Sequence, residues 1–141
     1  EPDIPQNTAS IIRTCSCFGT FLEIIEPCGF LLSDKRFKRV VMDYMDINSI
    51  KFYKNSDDFF SYKSNSRVIL ITTKAKKIYT KFSFRNTDTI LFGRESAGVP
   101  NDIHKKIDYK LKIPMAAGKR SLNLSTSVSI TLAESIRQLN I

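Results

Sequence analysis

An α/β fold, with a mostly parallel sheet flanked by helices, is the class this chain predicts, and two observations carry it. Short apolar runs around 21–25, 50–53, 67–72, 89–92 and 109–113 alternate with stretches of helical period. Strands separated by helices return to the same end of a sheet and pair in parallel. The second observation is a pair of glycine- and proline-punctuated loops, 93–100 and 113–125, each leaving the end of an apolar run. Two such exits should open crevices on one edge of the sheet, where α/β proteins bind ligands.

The elements follow in order. Ile11, Ile12, Cys15 and Phe18 recur at helical spacing, with Asn7 or Thr8 as the expected N-cap, Pro5 ahead of it and Gly19 as the stop. Phe21–Ile25 reads as a buried strand ended by Glu26-Pro27. A second helix is expected from Asp34 to Tyr44, with Phe37, Val40, Val41 and Tyr44 on one face and Lys35, Arg36, Lys38 and Arg39 on the other. Ile50–Tyr53 is a short strand, Asp57–Tyr62 a short helix, and Arg67–Thr72 the clearest strand of all. Lys74–Lys77 reads as a basic connection, Thr89–Phe92 and Tyr109–Ile113 as strands, and Ser125–Leu139 as a final helix striped by Val128, Leu132, Ile136 and Leu139. No repeat or linker interrupts the chain, so a single domain over 1–141 is expected. A sheet of this kind starts with a strand, yet the first element here is a helix; the missing strand is expected upstream of residue 1.

A chain of 141 residues is long enough to bury a substantial core. Twenty-two Lys plus Arg against fourteen Asp plus Glu leave +8, and the cations cluster at 35–39 and at 74–85, a balance suited to a polyanion. No apolar run approaches the ~18 residues of a membrane span. Cys15, Cys17 and Cys28 lack the spacing of a zinc site and read as reduced, mostly buried thiols; no metal is expected. The single histidine, His104, among Asp102, Lys105 and Lys106, reads as a solvated surface residue rather than a base.

Three constellations could carry chemistry. Arg13 lies about 1.7 turns beyond Asn7 on the first helix, where a guanidinium can clamp a phosphate or polarise a hydroxyl. Gly93 permits close backbone approach to a ligand, Gly98 suits a tight turn before Val99-Pro100, and Glu95 between them could pair with Arg13 or a cationic ligand. Lys119-Arg120-Ser121-Leu122-Asn123-Leu124-Ser125 sets cations, an amide and hydroxyls before a helix, favourable for an anion or a ribose and equally for ordinary capping.

Together, Ile4-Pro5-Gln6-Asn7-Thr8 with Ile11-Ile12-Arg13, Ile25–Phe30 and Asp34-Lys35-Arg36, then Leu91–Glu95 with Gly98-Val99-Pro100, then Ile113-Pro114-Met115 with Ser121–Ser125 resemble the three motifs of the SpoU branch of the SPOUT RNA methyltransferases. The likeness is strongest to the small TrmL (YibK-like) tRNA 2′-O-methyltransferases, which act on the wobble nucleotide, and it covers essentially the whole chain. Ala9-Ser10 stands where that family usually has Gly-Asn, and Ala133 where a tyrosine is common. The resemblance implies a C-terminal trefoil knot that binds S-adenosylmethionine, an exception to the rule against knots. It implies a donor pocket of Ile71, Thr72, Gly93, Glu95, Ile113, Met115, Ser121, Leu122 and Asn123, and a catalytic set of Arg13, Asn7, Glu95, Ser121 and Asn123. It further implies substrate contact through Arg13, to which the basic clusters add Lys35, Arg36, Lys38, Arg39, Lys74, Lys76, Lys119 and Arg120 as tRNA contacts; reduced thiols point to a cytoplasmic location, and the chain's small size together with the resemblance to a homodimer with a shared active site.

A knotted RNA-binding protein without catalysis is the alternative; retention of Gly93, Glu95, Ser121 and Asn123 speaks against it. A Rossmann- or flavodoxin-type nucleotide binder would need a glycine-rich phosphate loop after its first strand, and the sequence has none.

Overall fold

The computed structural model describes residues 1–31, 33, 35–44 and 49–140, without the side chains of 36, 40 and 42. The expected helix start at Asp34 and the side chains of Arg36 and Val40 lie outside that description. The chain forms two compact units, Glu1–Ser64 and Asn65–Ile141.

In the first unit, helix α1 (Pro5–Cys17) starts two residues before Asn7 and three before Thr8, the two expected caps. Proline at N1 supplies the helical φ, and Ile4 occupies the N-cap without any side-chain acceptor. Asn7 and Thr8 are instead buried inside the first turns, the Thr8 hydroxyl donating to the Ile4 carbonyl at 3.3 Å. Strand β1 (Glu23–Ile25) pairs in parallel with β2 (Lys51–Tyr53), Ile24 opposite Phe52. The strand expected from Phe21 is two residues shorter, because Phe21 is 92% exposed and lies outside the ladder. Helix α2 (Lys35–Tyr44) packs on α1. Ile12, Ile24, Phe37, Val41 and Ile50 make the core, while Tyr44 is at the surface. Helix α3 (Ser56–Tyr62) is capped by Asn55, whose side chain accepts from the Asp58 amide at 2.8 Å. It covers Tyr53 edge-on through Phe59.

The second unit holds a four-stranded, all-parallel sheet of β3 (Val68–Ile71), β4 (Lys77–Ile78), β5 (Thr89–Phe92) and β6 (Tyr109–Lys112), in the order β4-β6-β3-β5. The last strand is inserted between two laid down earlier. Parallel pairing was expected; its division into two sheets, and the edge strand β4 at the end of the basic connection, were not. Ile69, Leu111, Phe82 and Phe84 pack as the core. Helix α4 (Asn101–Lys106), unforeseen, follows the 93–100 loop, and α5 (Leu124–Leu139) closes the chain. Val128, Thr131, Leu132 and Ser135 form the buried face of α5, so the stripe expected through Ile136 and Leu139 is turned by part of a turn and those two are half-buried.

Candidate functional site

Register brings the second unit's loop exits to one level. Ile71, the last residue of β3, is opposite Phe92 on one side and Leu111 on the other. Thr72 and Gly93 therefore leave the sheet level with Lys112, the last residue of β6, with β5 and β6 roughly 10 Å apart across β3. The Thr72 amide extends the ladder by one bond, donating to the Leu111 carbonyl at 2.8 Å. Ile71, Thr72, Gly93, Glu95, Ile113 and Met115 all lie at these carboxyl-terminal exits and are half-buried. This is the edge at which open parallel sheets bind ligands.

The first exit loop folds back on itself. Arg94 and Gly98 form an isolated antiparallel bridge, with the Gly98 amide donating to the Arg94 carbonyl at 2.9 Å. A Cβ on Gly93 would lie 2.5 Å from the Gly98 carbonyl carbon and 2.7 Å from the Val99 nitrogen. Gly93 is thus demanded by the loop's own backbone, whereas the sequence alone suggested close approach to a ligand. Gly98 has φ +68°, a conformation glycine adopts without strain. Glu95 sits within the bridged turn.

The second exit loop runs from Ile113 to Asn123 and turns at Gly118, φ +78°. Lys119, Arg120, Ser121, Leu122 and Asn123 are exposed along it. Asn123 caps α5: its Oδ1 accepts from the Thr126 amide at 3.2 Å and from the Ser125 hydroxyl at 2.7 Å. The ordinary capping role weighed from sequence is therefore real, and it presents the positive end of a 16-residue helix beside Lys119 and Arg120.

Arg13 and Asn7 belong to the first unit. They are roughly 120° apart around α1, Asn7 turned inward and Arg13 exposed. The Arg13 guanidinium lies 4.6 Å from the centroid of Tyr44 on α2, and among the described residues it forms no ion pair. Stacking on an aromatic ring restrains the guanidinium while leaving its charge unneutralised. Of the expected RNA contacts, Lys35, Lys38 and Arg39 are exposed on α2, and Lys74, Lys76, Lys119 and Arg120 on the second unit's loops.

Two features escaped the sequence. His104 is half-buried rather than solvated, its Nε2 3.3 Å from the Thr72 hydroxyl, and Lys74 donates to Asn101 at 3.3 Å. Of the thiols only Cys15 is buried, its pKa pushed up to about 11 by desolvation; Cys17 is exposed. Among the described residues no three His, Cys, Asp or Glu side chains are grouped as a metal would require.

Residues 1–133 match the SpoU rRNA Methylase family. A tRNA (cytidine(34)-2′-O)-methyltransferase of Beijerinckia indica is 40% identical over 141 residues, covering 99% of this chain and 88% of the relative. The protein of the same description from Escherichia coli K12 is 37% identical, covering 99% and 90%. A solved structure described as giving insight into the 2-OH methylation of C/U34 on tRNA superposes with a TM-score of 0.90 at 34% identity, over 99% of this chain and 91% of that one. The methyltransferase AviRb of Streptomyces viridochromogenes, in complex with AdoMet, shares the fold at a TM-score of 0.83 and 22% identity, over 99% of this chain and 58% of its own. By the family match and by its identity to these relatives, the chain belongs to the SpoU rRNA Methylase family.

Proposed function

We propose that this protein transfers the methyl group of S-adenosylmethionine to the ribose 2′-oxygen of nucleotide 34 of a tRNA. The observation that carries the reading is near-full-length identity of 37–40% to enzymes described by that reaction. The family match runs through both units, which supports a single functional domain. Insertion of β6 between β3 and β4 supports the threaded C-terminal segment that the resemblance implies.

The lining of the strand exits fits an adenosyl donor. Ile71, Ile113 and Met115 offer aliphatic and thioether surface for a purine, and the backbone of the two exit loops offers donors and acceptors for the ribose and amino-acid parts. When bound, S-adenosylmethionine supplies an electrophilic methyl on a sulfonium. Displacement of that methyl by a ribose 2′-oxygen would need donor and acceptor in line, so alignment by the chain's own residues would be its main contribution. Glu95, Ser121 and Asn123 hold the donor and ribose in line, the last by fixing the start of α5. Arg13 orients the acceptor and stabilises developing negative charge on oxygen; a guanidinium offers donors and no acceptor, so the hydroxyl proton goes elsewhere, a substrate phosphate oxygen being within the chemistry available.

The reading includes a C₂ homodimer that shares its active sites, and a cytoplasmic place of action. The apolar stripe of α1 is largely consumed in its own unit, leaving Ile4, Phe18, Phe21 and Leu31 exposed for pairing. No described helix is long and apolar enough to cross a membrane. Labelled S-adenosylmethionine and tRNA lacking the modification, with the product nucleoside identified, test the proposal. A 2′-O-methylated nucleotide 34 is expected. tRNA binding without transfer would return the non-catalytic alternative.

A further inference from the structure

Helix α4 does more than join two strands. Ile103 and Ile107, one turn apart, are 6% and 3% exposed and anchor one face. Asn101 and His104, also one turn apart, meet the turn that leaves β3: Lys74 Nζ donates to Asn101 Oδ1, and His104 Nε2 lies against Thr72 Oγ1, each at 3.3 Å. That turn is otherwise held by two bonds of the same length, from the Lys74 amide to the Thr72 hydroxyl and from the Ala75 amide to the Thr72 carbonyl. A threonine hydroxyl has one proton and two lone pairs, so with the Lys74 amide on one lone pair, His104 takes either the proton or the second lone pair, according to its tautomer. Through its N-cap Pro100 the same helix continues the 93–100 loop, and the His104 amide donates to the Pro100 carbonyl at 2.8 Å.

We propose that α4 is a strut of the donor site, with His104 as a positioning residue that holds Thr72 and thereby locks the β3 exit to the β5 exit. The inference rests on the donor reading of those exits. His104 touches neither donor nor acceptor, and its effect is on donor affinity rather than on the chemical step.

Calorimetry with S-adenosylmethionine on the full chain tests this, with melting temperatures measured alongside. His104→Ala should weaken binding about three- to ten-fold, the worth of one modest hydrogen bond, while kcat at saturating donor changes little. His104→Gln, which can still reach the hydroxyl, should recover most of the loss; Lys105→Ala, at an exposed position of α4, should bind as the parent does. In a Thr72→Val background His104→Ala should add almost nothing, because the coupled partner is already gone. Parent-like affinity in His104→Ala, or losses that add in full with Thr72→Val, would overturn the strut while leaving the donor site standing. A parent protein that takes up no S-adenosylmethionine would remove both.

Discussion

Arg67 and Asp88 form a two-point ion pair just ahead of β3 and β5, Nε to Oδ1 and Nη2 to Oδ2 both 2.6 Å, with the Asp88 side chain 3% exposed. Arg67 also donates to the Ser83 carbonyl at 3.0 Å and lies over the rings of Phe82 and Tyr109, while Asp88 accepts from the Arg85 amide at 2.8 Å. The pair thus ties the 82–88 segment to the end of the sheet opposite the 93–100 and 113–123 loops. Removing one partner strands the other in a partly dry site. Asp88→Ala should cost about 3 kcal/mol, seen as a lower urea midpoint at unchanged slope. Arg67→Lys should recover only part, since an ammonium cannot make the forked contact. A cost below about 0.5 kcal/mol would class the pair with ordinary surface bridges.

Gly93 and Gly98 separate two reasons for glycine. A methyl on Gly93 meets loop backbone at 2.5–2.7 Å, which no rotamer relieves, whereas a methyl on Gly98 meets open space and only the positive φ resists it. Gly93→Ala should therefore open the Arg94–Gly98 bridge and abolish S-adenosylmethionine binding. Gly98→Ala should cost about 1 kcal/mol of stability and weaken binding less. Equal calorimetric affinities for the two variants would contradict this account.

What the sequence made legible follows from signal length. Val68–Ile71 is a continuous β-branched and leucine run, readable as a buried parallel strand, and the glycines at 93 and 98 mark its neighbour's exit. Helix α4 has six residues, too few to show a period, and β4 is a two-residue edge beginning with lysine. Phe21 looked buried only because apolar residues follow it. At the site, the exits were legible as motifs. Arg67–Asp88 and Thr72–His104 were not, since side chains 21 and 32 residues apart meet only through sheet order.

Glu134 sets a pH dependence. Its carboxylate accepts from Arg137 at 2.8 and 2.9 Å and from Gln138 at 2.8 Å, and these bonds hold its pKa down to about 2. Gln138, so oriented, accepts from the Phe84 amide at 3.0 Å, tying α5 to the core segment. A carboxyl whose folded pKa is depressed stabilises the fold above its unfolded value of 4.5 and loses that contribution as pH falls through about 2. Glu134→Gln should flatten the loss of stability between those two values, followed by thermal melts. A parent-like slope would assign acid sensitivity elsewhere.

The exposed cations predict strong salt dependence. Contact of Lys35, Lys38, Arg39, Lys74, Lys76, Lys119 and Arg120 with about five phosphates should give log affinity for tRNA a slope of roughly −4 against log salt. Single alanine variants should each reduce that slope by about one. A flat dependence would remove these residues from the RNA surface.

Arg13 is the sharpest test of the acceptor half. It is exposed on α1, held by the ring of Tyr44, and without a carboxylate partner among the described residues. A guanidinium retained only for surface pairing would have a partner to lose; one restrained by a ring keeps its charge available for substrate. Arg13→Ala should leave S-adenosylmethionine affinity nearly unchanged and lower single-turnover transfer by roughly two orders of magnitude or more, the pattern of an interaction made in the transition state. Arg13→Lys, which keeps the charge but loses the planar fork, should restore only a small part. Tyr44→Leu should fall between parent and Arg13→Ala, because the charge stays while its restraint is lost. Full transfer in Arg13→Ala would return this residue to the helix surface.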